Sequence, residues 1–297
     1  MPITLLDGGM SRELMRLNAP FRQPEWSALP LIETPYLVEQ VHTEFLQAGA
    51  DVITTNSYTI VPFHIGDERF DKDAQLLAER AGQLAKNAVR HMGRGKVAGS
   101  IPPLFGSYHP DLFDKNQVER LTTPLINGLK NHADIWLLET QSSIIEPTEL
   151  IARLPHDRRI WVSFTLDDTA TSTDTPCLRS GESVQDAIST MLALDAPIDA
   201  ILFNCSQPEV IDTALLITAQ TLANTAKKFA FGAYANAFKP QDETGSANEQ
   251  IDELRDDLHP LGYLAWATKW ANMGASVIGG CCGIGVEHIR QIGQQLK

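Results

Sequence analysis

Two adjacent cysteines, Cys281 and Cys282, lie in the glycine-rich stretch "VIGGCCGIG" at residues 277–285. A third cysteine, Cys205, directly follows the apolar stretch "AILFN" at residues 200–204. Three thiolates select a soft or borderline metal ion, with zinc as the leading candidate, and leave one of four tetrahedral positions open for a substrate. If the fold brings the three thiols together, they are predicted to form a catalytic metal site.

Other interpretations of these cysteines stay open from the residues alone. A single buried cysteine is usually a small apolar core residue, and Cys281 and Cys282 are also able to form a strained disulfide with each other. The surrounding glycines fit a phosphate-binding turn, although such a turn would explain neither cysteine. The fourth cysteine, Cys177, is interpreted as a bystander, and its inclusion would instead close the site with four sulfur ligands.

Two acidic residues also follow apolar stretches. Asp7 lies in "LLDGG" and Glu139 lies in "WLLET", with no basic residue close to Glu139 in the sequence. A buried carboxylate is costly without a cation or hydrogen-bond donors. Asp7 is able to cap a turn, and Glu139 is able to join an internal ion pair. Together, the two carboxylates are also able to bracket the ammonium group of a substrate.

Aromatic and amide side chains occur near the same positions. Asn204 immediately precedes Cys205, and Tyr58 follows the apolar stretch that contains residues 51–56. Tyr58, Tyr108 and Trp26 have two interpretations: packing in the core, or a cation–π contact with a positively charged ligand.

The elements that must position these residues are visible as eight apolar stretches with helical patterns between them. The stretches are nearly continuously apolar, as is typical of parallel strands covered by helices. The predicted strands occupy residues 3–7, 51–56, 96–100, 135–140, 159–165, 200–205, 229–234 and 276–280. The predicted helices after the second strand occupy residues 73–92, 116–131, 146–154, 182–194, 208–226, 260–273 and 286–296.

The helix between the first two strands has the clearest signals. Thr34 is expected to cap its start, Pro35 fits the first turn, and Gly49 ends it. Its predicted buried stripe consists of Leu37, Val38, Val41, Phe45 and Leu46.

Eight strand–helix units, without a linker of changed composition, favour an α/β fold in which residues 1–297 form one (β/α)8 barrel domain. The carboxyl ends of the strands share one rim of such a barrel, where strands 6 and 8 are near neighbours. The three cysteines are therefore predicted to meet. Three long connections, at residues 57–72, 101–115 and 239–257, are predicted to lie at the same rim.

The adjacent cysteines need a departure from strand geometry to reach one ion. Successive side chains of an extended strand point to opposite faces. We expect Gly279, Gly280 and Gly283 to allow the necessary bend, because glycine adopts backbone conformations that other residues avoid.

The composition excludes several classes of partner. The chain has 24 basic and 37 acidic side chains, a formal net charge of −13, which argues against nucleic acid and anionic lipid surfaces. The sequence has no signal-peptide pattern at its start and no apolar run of the roughly 18 residues that a membrane span needs. A cytoplasmic enzyme is expected, and a homo-oligomer is compatible with the sequence.

The sequence resembles the homocysteine S-methyltransferase family along almost its whole length. The resemblance rests on "LLDGGMSREL", "AGADVITTNSY", "LLETQSSIIE", "WVSFTLDD" with "LRSGES", "FNCSQPE" and "YLAWATKWANMGASVIGGCCGIGVEHI". It implies that Cys205, Cys281 and Cys282 hold zinc and that Asp7 and Glu139 bind the substrate ammonium group. It also implies substrate-pocket positions for Tyr58 and Asn204.

The function that this resemblance implies is methyl transfer from a small cationic donor to the thiolate of homocysteine, which yields methionine. A sulfonium such as S-methylmethionine is the favoured donor, with betaine or S-adenosylmethionine as alternatives and a related thiol or selenol as an alternative acceptor. The loop "GSIPPLFGSYHPD" and Ala235 depart from the common family pattern where the donor is expected. A hydrolase or lyase using zinc-activated water, and a zinc-storing or thiol-sensing protein, are the rival functions.

Overall fold

The computed structural model describes residues 2–168, 175–227, 229–239 and 253–297. Its eight strands are all parallel to their neighbours and follow the predicted stretches closely. The strands are β1 (Thr4–Leu5), β2 (Val52–Thr54), β3 (Lys96–Ile101), β4 (Ile135–Gln141), β5 (Ile160–Phe164), β6 (Ile198–Asn204), β7 (Ala230–Tyr234) and β8 (Val277–Ile278).

Eleven α-helices occur among the described residues. They are α1 (Met10–Arg16), α2 (Ala28–Glu33), α3 (Pro35–Ala48), α4 (Pro62–Ile65), α5 (Asp67–Met92), α6 (Val118–Leu129), α7 (Ile145–Ile151), α8 (Val184–Ala193), α9 (Pro208–Ala223), α10 (Pro260–Asn272) and α11 (Val286–Leu296). Short 3-10 helices occupy Pro110–Leu112 and Asp256–Leu258. No helix in the described part of the chain is long and apolar enough to cross a membrane.

The strands form a barrel in sequence order. The sheet runs β1-β8-β7-β6-β5-β4-β3-β2, and a parallel bridge between Leu6 and Val52 connects its two ends. Helices separate successive strands, as a parallel sheet requires for its crossover connections. The predicted (β/α)8 barrel is thus confirmed.

The helix predictions hold except near the first two strands and at α5. The helices α1, α2 and α4 are not predicted from the sequence, and α5 begins at Asp67 rather than at residue 73. Gly49 ends α3 with φ of 115°, as expected. Thr34 occupies the predicted N-cap position of α3, but its side chain makes no hydrogen bond to the backbone there. Most of the predicted connection at 239–257, residues 240–252, lies outside the described residues.

Apolar side chains pack on both the outer and the inner face of the barrel sheet. Large side chains such as Phe45, Trp136, Phe203 and Trp270 fill the space between the sheet and the helices. A smaller cluster fills the barrel interior and consists of Leu6, Val52, Ala98, Ile135, Leu137, Trp161, Ala200, Leu202, Tyr234 and Val277. Because strand side chains alternate between the two faces, the residue two positions after each interior residue also points inward.

Candidate metal and substrate site

A polar layer lies directly above the apolar interior, toward the carboxyl ends of the strands. Glu139 follows Leu137 by two positions on β4, and Asn204 follows Leu202 by two positions on β6. Ser100 on β3 and Ser163 on β5 have the same relation to Ala98 and Trp161. The alternation of strand side chains therefore places these four polar groups inside the barrel.

Glu139 is almost fully buried and is held by hydroxyl groups alone. The Ser100 hydroxyl donates to Oε2 of Glu139, and the Tyr234 hydroxyl donates to Oε1 at 3.3 Å. Burial raises the pKa of Glu139 to about 7, although both hydrogen bonds oppose the shift. Glu139 is therefore poised to change its protonation state near neutral pH.

Asp7, the second predicted acid, enters the same site from the end of β1. Its Oδ2 accepts a hydrogen bond from the backbone N–H of Thr54 at 2.7 Å, and Oδ1 accepts from the Thr54 hydroxyl at 2.9 Å. Burial raises the pKa of Asp7 to about 8, and the nearby Glu139 adds to the increase.

The leading cause of both pKa increases is burial, and the hydrogen bonds that oppose them come from Thr54, Ser100 and Tyr234. Asp7 is 4% exposed and Glu139 is 9% exposed, and both line one cavity of about 450 Å³. Two buried carboxyl groups that face a common cavity, held by hydroxyl groups and a backbone N–H, form a site suited to an external cation.

The three predicted metal ligands lie together at this cavity. The Sγ atoms of Cys205, Cys281 and Cys282 are all within 4.8 Å of one another. Cys282 Sγ is 3.8 Å from Cys205 Sγ and 4.0 Å from Cys281 Sγ, and the sulfurs of Cys205 and Cys281 are in disulfide contact. Cys177 does not join this cluster.

Local backbone geometry turns these thiols toward one another. Cys205 has φ of 50°, a left-handed conformation, immediately after β6 ends. The chain then turns after Cys281, whose carbonyl accepts a hydrogen bond from the Ile284 N–H at 3.1 Å. Gly283 occupies this turn with φ of 82°, which a residue with a Cβ rarely adopts.

Gly279 and Gly280 serve another purpose than the predicted bend. Neither has a positive φ. A Cβ on Gly279 would lie 2.6 Å from the Leu6 side chain, and a Cβ on Gly280 would lie 2.1 Å from the Ile284 side chain. Close packing therefore explains these two glycines, and the prediction that they supply conformational freedom is wrong.

The thiol cluster fits a tetrahedral metal ion. Zinc–sulfur bonds of about 2.3 Å in a tetrahedron place neighbouring sulfurs roughly 3.8 Å apart. The two distances from Cys282 Sγ, 3.8 Å and 4.0 Å, are close to that value. The disulfide contact between Cys205 and Cys281 has to be reduced before all three thiolates bind one ion. The alternative of a disulfide between Cys281 and Cys282 does not occur in this structure.

Asn204 lies beneath the cavity rather than at its surface. It is fully buried, its Oδ1 accepts hydrogen bonds from the Ser163 hydroxyl at 2.6 Å and the Thr140 N–H at 3.1 Å, and its Nδ2 donates to Thr140 Oγ1 at 2.8 Å. Its Nδ2 also lies 3.9 Å from Cys281 Sγ. Asn204 thus links β4, β5 and the cysteine cluster, and its assignment to substrate binding stays a prediction.

Aromatic residues form the outer wall of the cavity. Tyr58, Tyr108 and Trp26 all line it. The Tyr58 hydroxyl shares a hydrogen bond of 2.8 Å with the Ser107 hydroxyl. The Tyr108 hydroxyl donates to the backbone carbonyl of Cys205 at 3.2 Å. Arg179 already stacks on the Tyr108 ring, with its guanidinium carbon 3.9 Å from the ring centre, so Tyr58 and Trp26 are the aromatic residues of this wall suited to a cation–π contact with a ligand.

Unusual backbone conformations concentrate at this cavity. Among the described residues, the non-glycine residues with left-handed φ are Asn18, Trp26, Tyr108, Thr140 and Cys205. All of these except Asn18 line the cavity. Such conformations cost on the order of 1–3 kcal/mol each and persist where the surroundings enforce them, often at functional sites.

The sequence did not identify the site's complete polar framework. Thr54 and Thr140, which hold Asp7 and Asn204, carry no distinctive sequence signal. Arg179, in the stretch "LRSGES", also lines the cavity but was not predicted as a site residue. The available sequence signal for Arg179 is an isolated arginine after a predicted strand.

Comparisons with known proteins agree with this geometry. A sequence model of the homocysteine S-methyltransferase family matches residues 4–296 of the chain. Homocysteine S-methyltransferase 1 of Arabidopsis thaliana is 27% identical over 325 residues, covering 99% of this chain and 93% of that protein. Selenocysteine Se-methyltransferase of Brassica oleracea var. italica is also 27% identical, covering 98% of this chain and 88% of that protein.

The fold has a close counterpart among solved structures. The crystal structure of the homocysteine methyltransferase MmuM from Escherichia coli, in a metallated form, superposes with a TM-score of 0.79. The sequence identity is 24%, and the match covers 99% of this chain and 96% of that chain. The structural likeness concerns the fold, whereas the family model concerns the sequence along nearly its full length. The chain belongs to the homocysteine S-methyltransferase family.

Proposed function

We propose that this protein transfers a methyl group from a small sulfonium donor, with S-methylmethionine as the leading candidate, to the thiolate of homocysteine, yielding methionine. One observation carries the proposal. Three convergent thiols face the same cavity as two buried carboxyl groups, which are held by hydroxyl groups and one backbone N–H. A thiol amino acid carries the two complementary groups, a sulfur ligand and an ammonium group.

The two acids orient the acceptor. Its ammonium group lies between Asp7 and Glu139 and favours the ionised form of both carboxyl groups, which burial otherwise disfavours. Thr54, Ser100 and Tyr234 hold these carboxyl groups in place through their hydroxyl groups. The ammonium group of the acceptor thus supplies the cation that favours the ionised form of these two buried carboxyl groups.

Cys205, Cys281 and Cys282 are the proposed zinc ligands, with the fourth position for the acceptor sulfur. When bound, zinc lowers the pKa of the acceptor thiol, so that the nucleophilic thiolate is populated at neutral pH. The hydrogen bond from Tyr108 to the Cys205 carbonyl and the contact of Asn204 with Cys281 hold the ligand-bearing segments. We place the enzyme in the cytoplasm, where thiols stay reduced.

A cationic donor suits the electrostatics of this cavity. The acceptor thiolate attacks the methyl carbon of the sulfonium, the carbon–sulfur bond to the donor breaks, and the bonding electrons leave with a neutral thioether. The thiolate and the sulfonium lose their opposite charges together. Tyr58 and Trp26 offer ring faces to the sulfonium before the transfer.

Other substrates remain alternatives within the same chemistry. Betaine and S-adenosylmethionine are also cationic methyl donors. The relatives named selenocysteine methyltransferases make a selenol a reasonable second acceptor. A zinc-activated water fits less well, because three thiolate ligands donate charge to the ion and oppose acidification of bound water.

The test uses reduced, zinc-loaded protein with homocysteine and each donor in turn: S-methylmethionine, S-adenosylmethionine and betaine. We expect methionine to form fastest with S-methylmethionine, as measured by mass spectrometry with a deuterated methyl group. Transfer of the label to homocysteine supports the proposal. The absence of labelled methionine with every donor would refute the methyltransferase function.

A further inference from the structure

Arg179 has a position in the cavity that the proposed chemistry leaves unexplained. It follows β5, lines the cavity and is only partly exposed. Its Nη2 donates to Oδ1 of Asp168 at 2.8 Å, and its guanidinium carbon lies 3.9 Å from the centre of the Tyr108 ring. A buried ion pair and a stacked ring together fix the orientation of this guanidinium group.

The anchoring of Arg179 extends to the cysteine segment. Oδ2 of Asp168 accepts from the backbone N–H of Gln207 at 3.1 Å, two residues after Cys205. The ring under Arg179 belongs to Tyr108, whose hydroxyl donates to the Cys205 carbonyl. The Thr165 hydroxyl, which accepts from Arg179 Nε at 3.3 Å and donates to the Cys205 carbonyl at 3.4 Å, also connects the guanidinium group with the backbone of a proposed metal ligand.

Part of the guanidinium group remains available for a ligand. Nε of Arg179 donates to Thr165 at 3.3 Å and Nη2 donates to Asp168, whereas Nη1 makes no hydrogen bond to any residue in the described ranges. A guanidinium group has five N–H donors and binds carboxylates strongly. Its fixed orientation reduces the entropy lost when such a ligand binds.

We propose that Arg179 binds the carboxylate of the methyl donor and thereby selects amino-acid sulfonium donors. This inference rests on the proposed function. The acceptor's ammonium group is assigned to Asp7 and Glu139, which are held by residues of β2, β3 and β7. Arg179 follows β5 and contacts Tyr108, Thr165 and Asp168 rather than the residues that hold the two acids, and we assign its carboxylate partner to the second substrate.

Substrate dimensions agree with this assignment. In extended S-methylmethionine, ordinary bond lengths separate the sulfonium sulfur from the carboxylate carbon by about 5 Å. In betaine, the corresponding separation between nitrogen and carboxylate carbon is about 2.5 Å. The Thr165 hydroxyl lies between Arg179 Nε and the Cys205 carbonyl, so a donor that reaches both the acceptor sulfur and Arg179 has to bridge that span. The longer amino-acid donor is better matched to that span than betaine is.

The experiment compares S-methylmethionine with its carboxamide, which keeps both positive charges but lacks the carboxylate. Calorimetry gives the dissociation constant of each compound for the reduced, zinc-loaded wild type and for Arg179→Met. We expect the substitution to weaken acid binding by about 10- to 100-fold, the usual range for a hydrogen bond to a charged group. Binding of the carboxamide should change by less than about 3-fold, since it lacks the charged partner.

Two further variants provide controls. Arg158→Met removes an arginine that also stacks on an aromatic ring, Trp136, and pairs with an aspartate, Asp157, but lies away from the cavity. It should leave both dissociation constants unchanged. Arg179→Lys, which keeps the positive charge, should recover part of the preference for the acid over the carboxamide.

The outcomes separate this inference from the function on which it rests. If the wild type transfers methyl groups but Arg179→Met keeps the wild-type preference for the acid, the inference is overturned. The inference is also overturned if Arg179→Met weakens homocysteine binding and leaves donor binding unchanged. If the wild type transfers no methyl group from any donor, the proposed function itself fails.

Discussion

Acidic residues at the two ends of the barrel have different partners. At the amino ends of the strands, Asp51 pairs with Lys297 at 2.5 Å, Asp134 with Lys86 at 2.8 Å and Asp199 with Arg159 at 3.1 Å. These acids are partly exposed. Asp51 and Asp134 also accept a backbone N–H from a neighbouring strand. Each of these three acids pairs with a basic side chain.

The carboxyl ends show the opposite arrangement. Asp7 and Glu139 are buried more deeply, yet their partners are hydroxyl groups and one backbone N–H. Acidic residues thus stabilise the fold at the amino ends of the strands, whereas at the carboxyl ends we propose that they bind a ligand. Deep burial of an acid whose hydrogen bonds come from neutral donors is the more informative sign of function. The following predictions test that contrast.

The largest expected effect comes from the thiol cluster. Cys281→Ser should lose both bound zinc and activity, with at least about a 100-fold fall in metal affinity, because one of the three proposed metal ligands is removed. Metal analysis and the methyl-transfer assay measure the two losses. Cys177→Ser is the matched control and should keep both properties. Equal zinc loss in the two variants would instead indicate a site with four cysteines.

The acids provide the second test. Glu139→Gln keeps the shape of the side chain but removes its charge, so the KM for homocysteine should rise by about 10- to 100-fold. Bound zinc should be unchanged, as should the KM for the donor. Steady-state kinetics and metal analysis check these expectations. An unaltered homocysteine KM would contradict the ammonium-binding role of Glu139.

The pH dependence of stability gives a third test. A carboxyl group whose pKa is higher in the folded protein than in the unfolded chain keeps its proton in the folded state between those two values, so stability falls as pH rises through that interval. For Glu139 the interval runs from 4.5 to about 7. Glu139→Gln removes this penalty and should be more stable than the wild type at pH 8, by about 3 kcal/mol.

Urea denaturation of the ligand-free protein measures this difference. The two proteins should differ by less than about 0.5 kcal/mol at pH 4.5, where Glu139 is protonated in the folded protein and only half ionised in the unfolded chain. Saturating methionine should also reduce the wild-type loss at pH 8, because its ammonium group stabilises the ionised acids. A stability difference that is constant from pH 4.5 to 8 would argue against the raised pKa.

The smallest effect is expected at the opposite end of the barrel. Asp134→Asn removes the partly exposed ion pair with Lys86 and should lower the free energy of unfolding by no more than about 1 kcal/mol. Its kinetic constants for both substrates should equal those of the wild type. A change in the homocysteine KM as large as that of Glu139→Gln would erase the proposed difference between the two ends.

Much of this arrangement follows from short-range patterns in the sequence. Continuous apolar stretches predict the parallel strands, and their order predicts that Cys205 meets Cys281 and Cys282. The alternation of strand side chains explains why Glu139 and Asn204 point into the barrel. These features depend on residue type and chain direction, which the sequence contains directly.

The missed features depend on which side chains meet in the folded protein. Thr34 has the right residue type for a cap, but its side chain makes no capping hydrogen bond. Gly279 and Gly280 are required by the side chains of Leu6 and Ile284 that pack against them. The position of Arg179 depends on the ring of Tyr108, contributed by a different connection of the barrel. Single-residue signals do not encode such pairings.

The strand β8 connects the thiol cluster to the order in which the chain is made. It pairs with both β1 and β7, and two of the three cysteines directly follow it. A chain emerging from the ribosome therefore carries both acids and Cys205 well before it has a complete barrel. Until β8 arrives, β1 and β7 present unpaired edges that invite association with other chains. Insertion of one short strand ends that exposure and completes the metal site in the same step.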